Sequence, residues 1–412
     1  MLPKPSLSFT IPSTHDHTKL DCRVYHPAGL TKPSATASSS WRRNVAVVAH
    51  PYAPLGGCYD DPIVDLVGGT LLHLGFMVAT FNFRGASSSS GARTSWTSKP
   101  EQADYRSVAA FMVYYAHYLD SPGGINTEGG LLQPVMLQAG YSYGAMVTTK
   151  IPPLHDILAP FESPPVRSDA ADIRLRAQHL AEHYNKNSRL AVGPGSPRRT
   201  MSMRVGGDED FSRKSQDVAR LNPQDHEDRI RRGVKDLLAR TKRVYQTHRR
   251  KTDGEADEVL HEVECMAKVE DLQAFRSAYL LVSPPIGYVT NLATMSIPNP
   301  FGGWLHRGGK SGHGSNDHAG GQIGMEGDAS EMKLVQNPTL AIYGDQDSFV
   351  MLRKMREWTT RLQRCTTAST ATDAAANSFC AVEVHGAGHF WVEEGTIYKL
   401  RDAVGAFGTE LA

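Results

Sequence analysis

An apolar run, Val135-Met-Leu-Gln-Ala139, feeds straight into Gly140-Tyr-Ser-Tyr-Gly144, and Ala145-Met-Val147 continue in a helix-compatible way. The five residues fit G-x-S-x-G. That spacing predicts a strand turning sharply into a helix, with Ser142 at the tip of the turn. Side chains at positions 140 and 144 would collide with the neighbouring strand and helix, so glycine is what permits the turn. The result is a serine hydroxyl raised in front of helix amides, the position of a nucleophile. On its own the pattern also fits an ordinary βα turn carrying a surface serine, and the rest of the chain decides between the two.

The flanking sequence alternates. Leu7–Ile11 and Leu20–Tyr25 read as strands of an antiparallel hairpin edge. Asn44-Val-Ala-Val-Val-Ala-His50 and Phe76–Phe83 are continuous apolar runs of the kind buried on both faces of a parallel sheet. Helices are expected between them, over Asp60–Leu74 and Pro100–Leu119, the second with proline in its first turn and apolar positions at Val108, Phe111, Met112 and Tyr115. Further buried strands are expected at Ala278–Pro285, Pro338–Gly344 and Phe379–His385, with helices over Val259–Phe275 and from Glu393 to about Phe407. Strand and helix in turn give an α/β class with a mostly parallel central sheet flanked by helices.

With 412 residues, a prior of about 150 residues per domain suggests two or three domains. The composition is uneven enough to suggest something else. From 164 to 253 the chain is polar and basic, and Gly193-Pro-Gly-Ser-Pro-Arg-Arg-Thr-Met-Ser202 reads as a flexible linker. The expected organisation is therefore one core in two parts, 1–163 and 254–412, separated by a long polar, partly disordered insertion over 164–253. A second Gly/His-rich loop spans about 302–327. Within the first insertion Ile230, Val234, Leu237, Leu238 and Val244 recur near helical period among basic residues. That helix packs on the domain or offers a membrane-surface or protein contact.

The formal charge of +1 argues against a dedicated nucleic-acid binder, and the hydrophobic content of 40% fits a packed core diluted by a long polar segment. The N-terminus has no apolar leader and no run of 18 apolar residues occurs, so neither a signal peptide nor a membrane span is expected. Five scattered cysteines without C-x-x-C spacing read as reduced thiols, which fits a cytoplasmic protein. His306, His313 and His318 lack fixed ligand spacing, and no phosphate-cradling glycine loop is found. No metal or organic cofactor is expected.

A serine hydroxyl is a poor nucleophile at neutral pH, so it needs a base, and the base needs a carboxylate to hold its tautomer. In open α/β sheets these groups collect at the carboxyl ends of strands. Ser142, Asp347 and His389 each follow a strand, in the order Ser, Asp, His. Asp345 is the rival acid, read as a turn former beside Gly344; His385 is the rival base, still at its strand end. Two backbone amides are needed for a developing oxyanion. Tyr143 supplies one as the residue after the nucleophile. Tyr52, in the loop Pro51–Gly57, supplies the other, because Pro51 has no amide to give.

Taken together, His50-Pro51 with Gly56-Gly57, Phe81-Asn-Phe-Arg-Gly85, Gly140-Tyr-Ser-Tyr-Gly144, Gly344-Asp-Gln-Asp347 and Gly388-His389 resemble the α/β-hydrolase superfamily. The resemblance is to small serine hydrolases with an H-P-x-x-x-x-G-G loop and an F-N-F-R-G strand end, over roughly 44–150 and 279–408. It implies an α/β-hydrolase fold and an acyl-enzyme mechanism on carboxylic esters or thioesters. Ser142 would be nucleophile, His389 general base and then acid, Asp347 its orienter, and Tyr52 and Tyr143 the oxyanion donors. The partner implied is a small-molecule acyl substrate. A peptidase or acyltransferase on the same triad, or a non-catalytic scaffold of this fold using its basic insertion, are the alternatives. Tyr141, Trp96 and Trp304 are candidates for apolar surface around the acyl group.

Overall fold

The computed structural model describes residues 1–31, 41–86, 93–95, 97–120, 133–192, 232–234, 237, 264–285, 329–369 and 379–412. Eight strands form one sheet: β1 (Leu7–Pro12), β2 (Lys19–Tyr25), β3 (Val45–Ala49), β4 (Met77–Phe81), β5 (Val135–Tyr141), β6 (Arg276–Val282), β7 (Thr339–Gly344) and β8 (Phe379–Val384). Their spatial order is β1-β2-β4-β3-β5-β6-β7-β8. β1 and β2 are antiparallel to each other, and β2 is antiparallel to β4; the other pairs are parallel. The order, the antiparallel edge hairpin and the sharp strand-to-helix turn after β5 are those of the α/β-hydrolase fold.

The helices are α1 (Ala28–Thr31), α2 (Pro62–His73), α3 (Lys99–Tyr118), α4 (Tyr143–Lys150), α5 (Leu154–Glu162), α6 (Asp169–Val192), α7 (Ala329–Gln336), α8 (Leu352–Ser369) and α9 (Thr396–Leu411). The period-2 alternation of the strands divides them between two faces. Ala46, Val48, Leu137, Ala139, Leu280 and Ile342 point to one side, where α2 and α9 cover them through Val64, Leu71, Leu400 and Val404. Val45, Val47, Ala79, Phe81 and Met136 point to the other, under α3, α5 and α6. Tyr279, Leu281, Ala341 and Tyr343 continue that face under α7 and α8. Because both faces are dry, the central strands have no polar alternation, and β3, β4, β5 and β7 are buried along their whole length.

Two expectations differ from the structure. The first third of the segment read as polar and flexible contains α6, packed against α3. Its buried face is made of alanines with Ile173, Leu175 and Leu180, and two arginines fold inward rather than outward. Arg174 donates to the carbonyls of Phe161, Glu162 and Ala267, and Arg176 to that of Thr10, so their charges are buried with main-chain partners. Farther along, Arg232, Gly233, Val234 and Leu237 are helical, and Val234 and Leu237 are buried in the same cluster.

The second difference is the helix expected over Val259–Phe275. Within its described part, 264–275, the chain is irregular: Val166 N donates to Glu264 O and Met266 N to Pro164 O, around a Pro165–Cys265 bridge. Met266, Val269, Leu272 and Phe275 recur every third residue and pack on the core. That spacing drifts around an α-helix, and pairing with Pro164–Val166 satisfies the backbone instead.

Candidate active site

Ser142 sits between β5 and α4 with φ 54° and ψ −118°, a conformation non-glycine residues rarely adopt. It persists because the surroundings enforce it. Ser142 N donates to Val282 O of β6 at 2.8 Å, and Met146 N returns to Ser142 O at 3.0 Å. A Cβ on Gly140 would strike the backbone of Gly144 and Ala145, and one on Gly144 would strike the carbonyls of Ala49 and His50. The two glycines are therefore required for the close approach of the turn to its own helix and to β3.

The Ser142 hydroxyl lies 2.8 Å from His389 Nε2, and His389 Nδ1 lies 2.7 Å from Asp347 Oδ2. With Nδ1–H donating to the carboxylate, Nε2 is left as an acceptor for the hydroxyl proton. The imidazole and the carboxylate are 5% and 4% exposed, so the pair is sheltered from water. Asp347 Oδ1 accepts from Phe349 N at 2.8 Å, which fixes the carboxylate, and Tyr141 donates its hydroxyl to His389 O at 2.9 Å, which fixes the histidine loop. The two loops are laced together: Gln346 N donates to Ala387 O, and a Cβ on Gly344 would collide with the same carbonyl.

The rival acid and base pair with each other instead. His385 Nδ1 is 2.6 Å from Asp345 Oδ2, while Asp345 Oδ1 accepts from Gly386 N at 2.7 Å. The Gly386 amide and the His385 contact hold the Asp345 carboxyl below the usual carboxylate range. The His385 side chain is 92% exposed and does not share the serine.

Tyr52 begins the short turn Ala53–Leu55, where its carbonyl accepts from Leu55 N and Gly57 N. Among the described residues its own amide donates no backbone hydrogen bond. The amide of Tyr143, at the start of α4, has no partner four residues back inside the helix. The rings of Tyr52 and Tyr143 lie 5.1 Å apart, so the two candidate donors come from segments in contact.

Behind this loop the side chains of His50 and of the strand end after β4 have a structural role. His50 is fully buried: Phe83 N donates to its Nε2 at 2.9 Å, so Nδ1 carries the proton and donates to Pro51 O at 2.5 Å. Burial lowers its pKa to about 4, keeping the ring neutral. Asn82 accepts from Tyr59 N, and Arg84, buried, pairs with Asp104 and Asp16. These three side chains tie the Tyr52 loop and the segment after β4 to the body of the sheet.

A cavity of about 110 Å³ opens beside Ser142 and His389, lined among others by Tyr52, Gly57, Asp61, Tyr141, Phe349 and Phe390. Sequence reasoning named Tyr52 and Tyr141 but missed Asp61, Phe349 and Phe390. Phe349 and Phe390 were signalled only by lying two residues after the acid and one after the base. Glu101 was missed too: fully buried in the first turn of α3, it accepts from Ser95 N and Ser95 Oγ at 2.6 Å each, and its charge adds to burial in raising the pKa of the Tyr143 phenol.

No protein-family model matches the chain, and no curated protein matches it either. Among solved structures it is similar to an alpha-beta serine hydrolase homologue from Coxiella burnetii, with TM-score 0.41, 13% identity and coverage of 98% of this chain and 99% of that one. An a/b serine hydrolase without lid from Xanthomonas campestris gives TM-score 0.41, 16% identity and coverage of 99% and 95%. Est1E from Butyrivibrio proteoclasticus, bound to ferulic acid, gives 0.39, 13%, and 98% of each chain. The fold assignment rests on this chain's own strand order and crossovers.

Trp96, Trp304 and the three histidines of the 302–327 loop lie outside the described residues. Among the described residues no group of three or more His, Cys, Asp or Glu is placed to hold a metal ion, and no helix is long and apolar enough to cross a membrane.

Proposed function

We propose that the protein is a serine hydrolase that cleaves a carboxylic ester or thioester through an acyl-enzyme on Ser142. The observation that carries this reading is the unbroken hydrogen-bond chain from Ser142 Oγ through both nitrogens of His389 to Asp347, assembled at a strained strand-to-helix turn. Each link has a role in that chemistry. His389 Nε2 takes the hydroxyl proton as Ser142 Oγ bonds to the carbonyl carbon, and Asp347 holds the imidazolium that forms. The Tyr52 and Tyr143 amides donate to the oxyanion. Collapse breaks the bond to the leaving oxygen or sulfur, which receives the proton from His389. Water then attacks the acyl group with His389 again as base, releasing the carboxylic acid and restoring Ser142.

The small cavity of about 110 Å³ fits this reading, since it opens directly beside Ser142 and His389. A short or slim acyl group is the expected occupant. The test is pre-steady-state hydrolysis of short-chain aryl esters followed by mass analysis of the peptide containing Ser142. A burst of alcohol equal to the enzyme, with an acyl mass gain on that peptide, is the expected result. Turnover that survives in Ser142→Ala contradicts it.

A further inference from the structure

The cavity beside Ser142 contains a carboxylate that the hydrolytic steps do not use. Asp61 precedes α2, and its Oδ1 accepts from Ile63 N at 2.8 Å and Val64 N at 3.4 Å, capping the helix. Capping occupies one oxygen. Among the described residues nothing donates to Oδ2, and no lysine or arginine is paired with this side chain. The helix N-terminus and its two amides favour the ionised form. Partial burial opposes them and pushes the carboxyl upward, with the Ile63 and Val64 amides and nearby His389 acting the other way.

Half of the remaining lining residues are aromatic. Tyr52, Tyr141, Phe349 and Phe390 surround the space that Asp61 shares with Ser142 and His389, and none of the lining residues is lysine or arginine. Phe349 and Phe390 stand edge to face at 5.4 Å, and Phe349 lies 4.6 Å from the His389 ring. A negative charge in a cavity lined by aromatic rings attracts a cation and repels an anion.

Building on Ser142 as the nucleophile, we propose that Asp61 determines the charge specificity of the site. It selects esters carrying a cationic group, such as an ammonium, within a few atoms of the scissile carbonyl, and it rejects esters carrying a carboxylate there. Asp61 makes no hydrogen bond to Ser142 or His389. Its charge acts on His389 through space, an effect common to all esters, so its effect on specificity is read from the ratio between esters of different charge.

Asp61→Asn separates this role from the cap. Asparagine caps a helix as well as aspartate does and keeps the oxygen that Ile63 and Val64 need, but it carries no charge. The experiment compares kcat/KM of wild type and D61N for three aryl esters of similar size: butyrate, hemisuccinate and a trimethylammonio-acyl ester. Second-order inactivation by a neutral and a trimethylammonium-bearing fluorophosphonate gives the same comparison without requiring turnover. In D61N the hemisuccinate-to-butyrate ratio is expected to rise about tenfold or more and the cationic-to-butyrate ratio to fall by a similar factor, with the melting temperature unchanged. Unchanged ratios, with butyrate still cleaved, overturn the role of Asp61 and leave the Ser142 reading standing. Absence of both turnover and inactivation in folded wild type overturns that reading and this proposal together.

Discussion

Two carboxylate–histidine pairs sit within a few residues of each other on the same two loops. Asp347 and His389 meet at 2.7 Å; Asp345 and His385 meet at 2.6 Å. By contact geometry they are equivalent. They differ in where the pleat and the loop direct them. At the strand ends His385 turns out to solvent and Asp345 follows it with one oxygen, whereas Asp347 and His389, reached two and four residues later, fold back over the tip of β5. Only the second pair is buried, and only it reaches the serine. A hydrogen-bonded acid and base are thus not sufficient to mark a site. Shelter from water, which strengthens the interaction, and a third group in line with the free ring nitrogen distinguish the two.

Substitutions break this comparison most sharply at the buried pair. Ser142→Ala and His389→Ala are each expected to lower kcat for a cleavable ester by about 10⁴-fold or more, and the double variant is expected to lose little beyond either one, because the residues act as a unit. Asp347→Asn, which keeps the shape but favours the wrong tautomer of His389, is expected to cost about 10²- to 10⁴-fold. Steady-state kinetics on purified variants checks all three, and a full-rate Asp347→Asn would show that the buried carboxylate does not orient the base.

Burial sharpens the comparison a second way, through pH. His50 and His26 are buried histidines whose pKa is lowered by burial from 6.5 to about 4. Below about 6.5 the unfolded chain takes up protons that the folded chain refuses. Stability is therefore full above that pH and falls as pH drops toward 4, by about 1.4 kcal/mol per pH unit for each histidine. Denaturant unfolding between pH 7.5 and about 5 checks the sign and slope. A curve flat through that window would mean that His50 and His26 are protonated in the folded protein.

The smallest effects belong to the outward pair. Asp345→Asn and His385→Ala are expected to change kcat/KM by no more than about twofold, since His385 is exposed and neither residue shares the serine. A large loss in either one would transfer the role assigned to Asp347 or His389.

Most of the sheet was legible in the sequence for one reason. A strand covered on both faces must be apolar throughout, so Val45–Ala49, Met77–Phe81 and Val135–Tyr141 announce themselves. The Ser, Asp, His order was legible because each residue follows a strand, although the last strand, Phe379–Val384, is an edge strand with only its ends buried. The parts that were not legible rely on partners distant in sequence. α6 looked polar because Arg174 and Arg176 are counted as surface residues, yet their guanidinium groups reach carbonyls of Phe161, Ala267 and Thr10. The irregular segment 264–275 looked helical because its pairing with Pro164–Val166 spans about a hundred residues of chain. Asp61 was hidden behind an ordinary role: Asp-Pro before an apolar helix reads as a cap, and nothing local says that it lines the same cavity as Ser142.

The most direct test of the central claim is labelling by a fluorophosphonate, comparing wild type with Ser142→Ala, His389→Ala and His385→Ala, and locating the adduct by peptide mass. The account predicts stoichiometric label on Ser142 in wild type and in His385→Ala, none in Ser142→Ala, and almost none in His389→Ala. Label that persists in His389→Ala, or that disappears in His385→Ala, would contradict the assignment of the buried pair as the activating one.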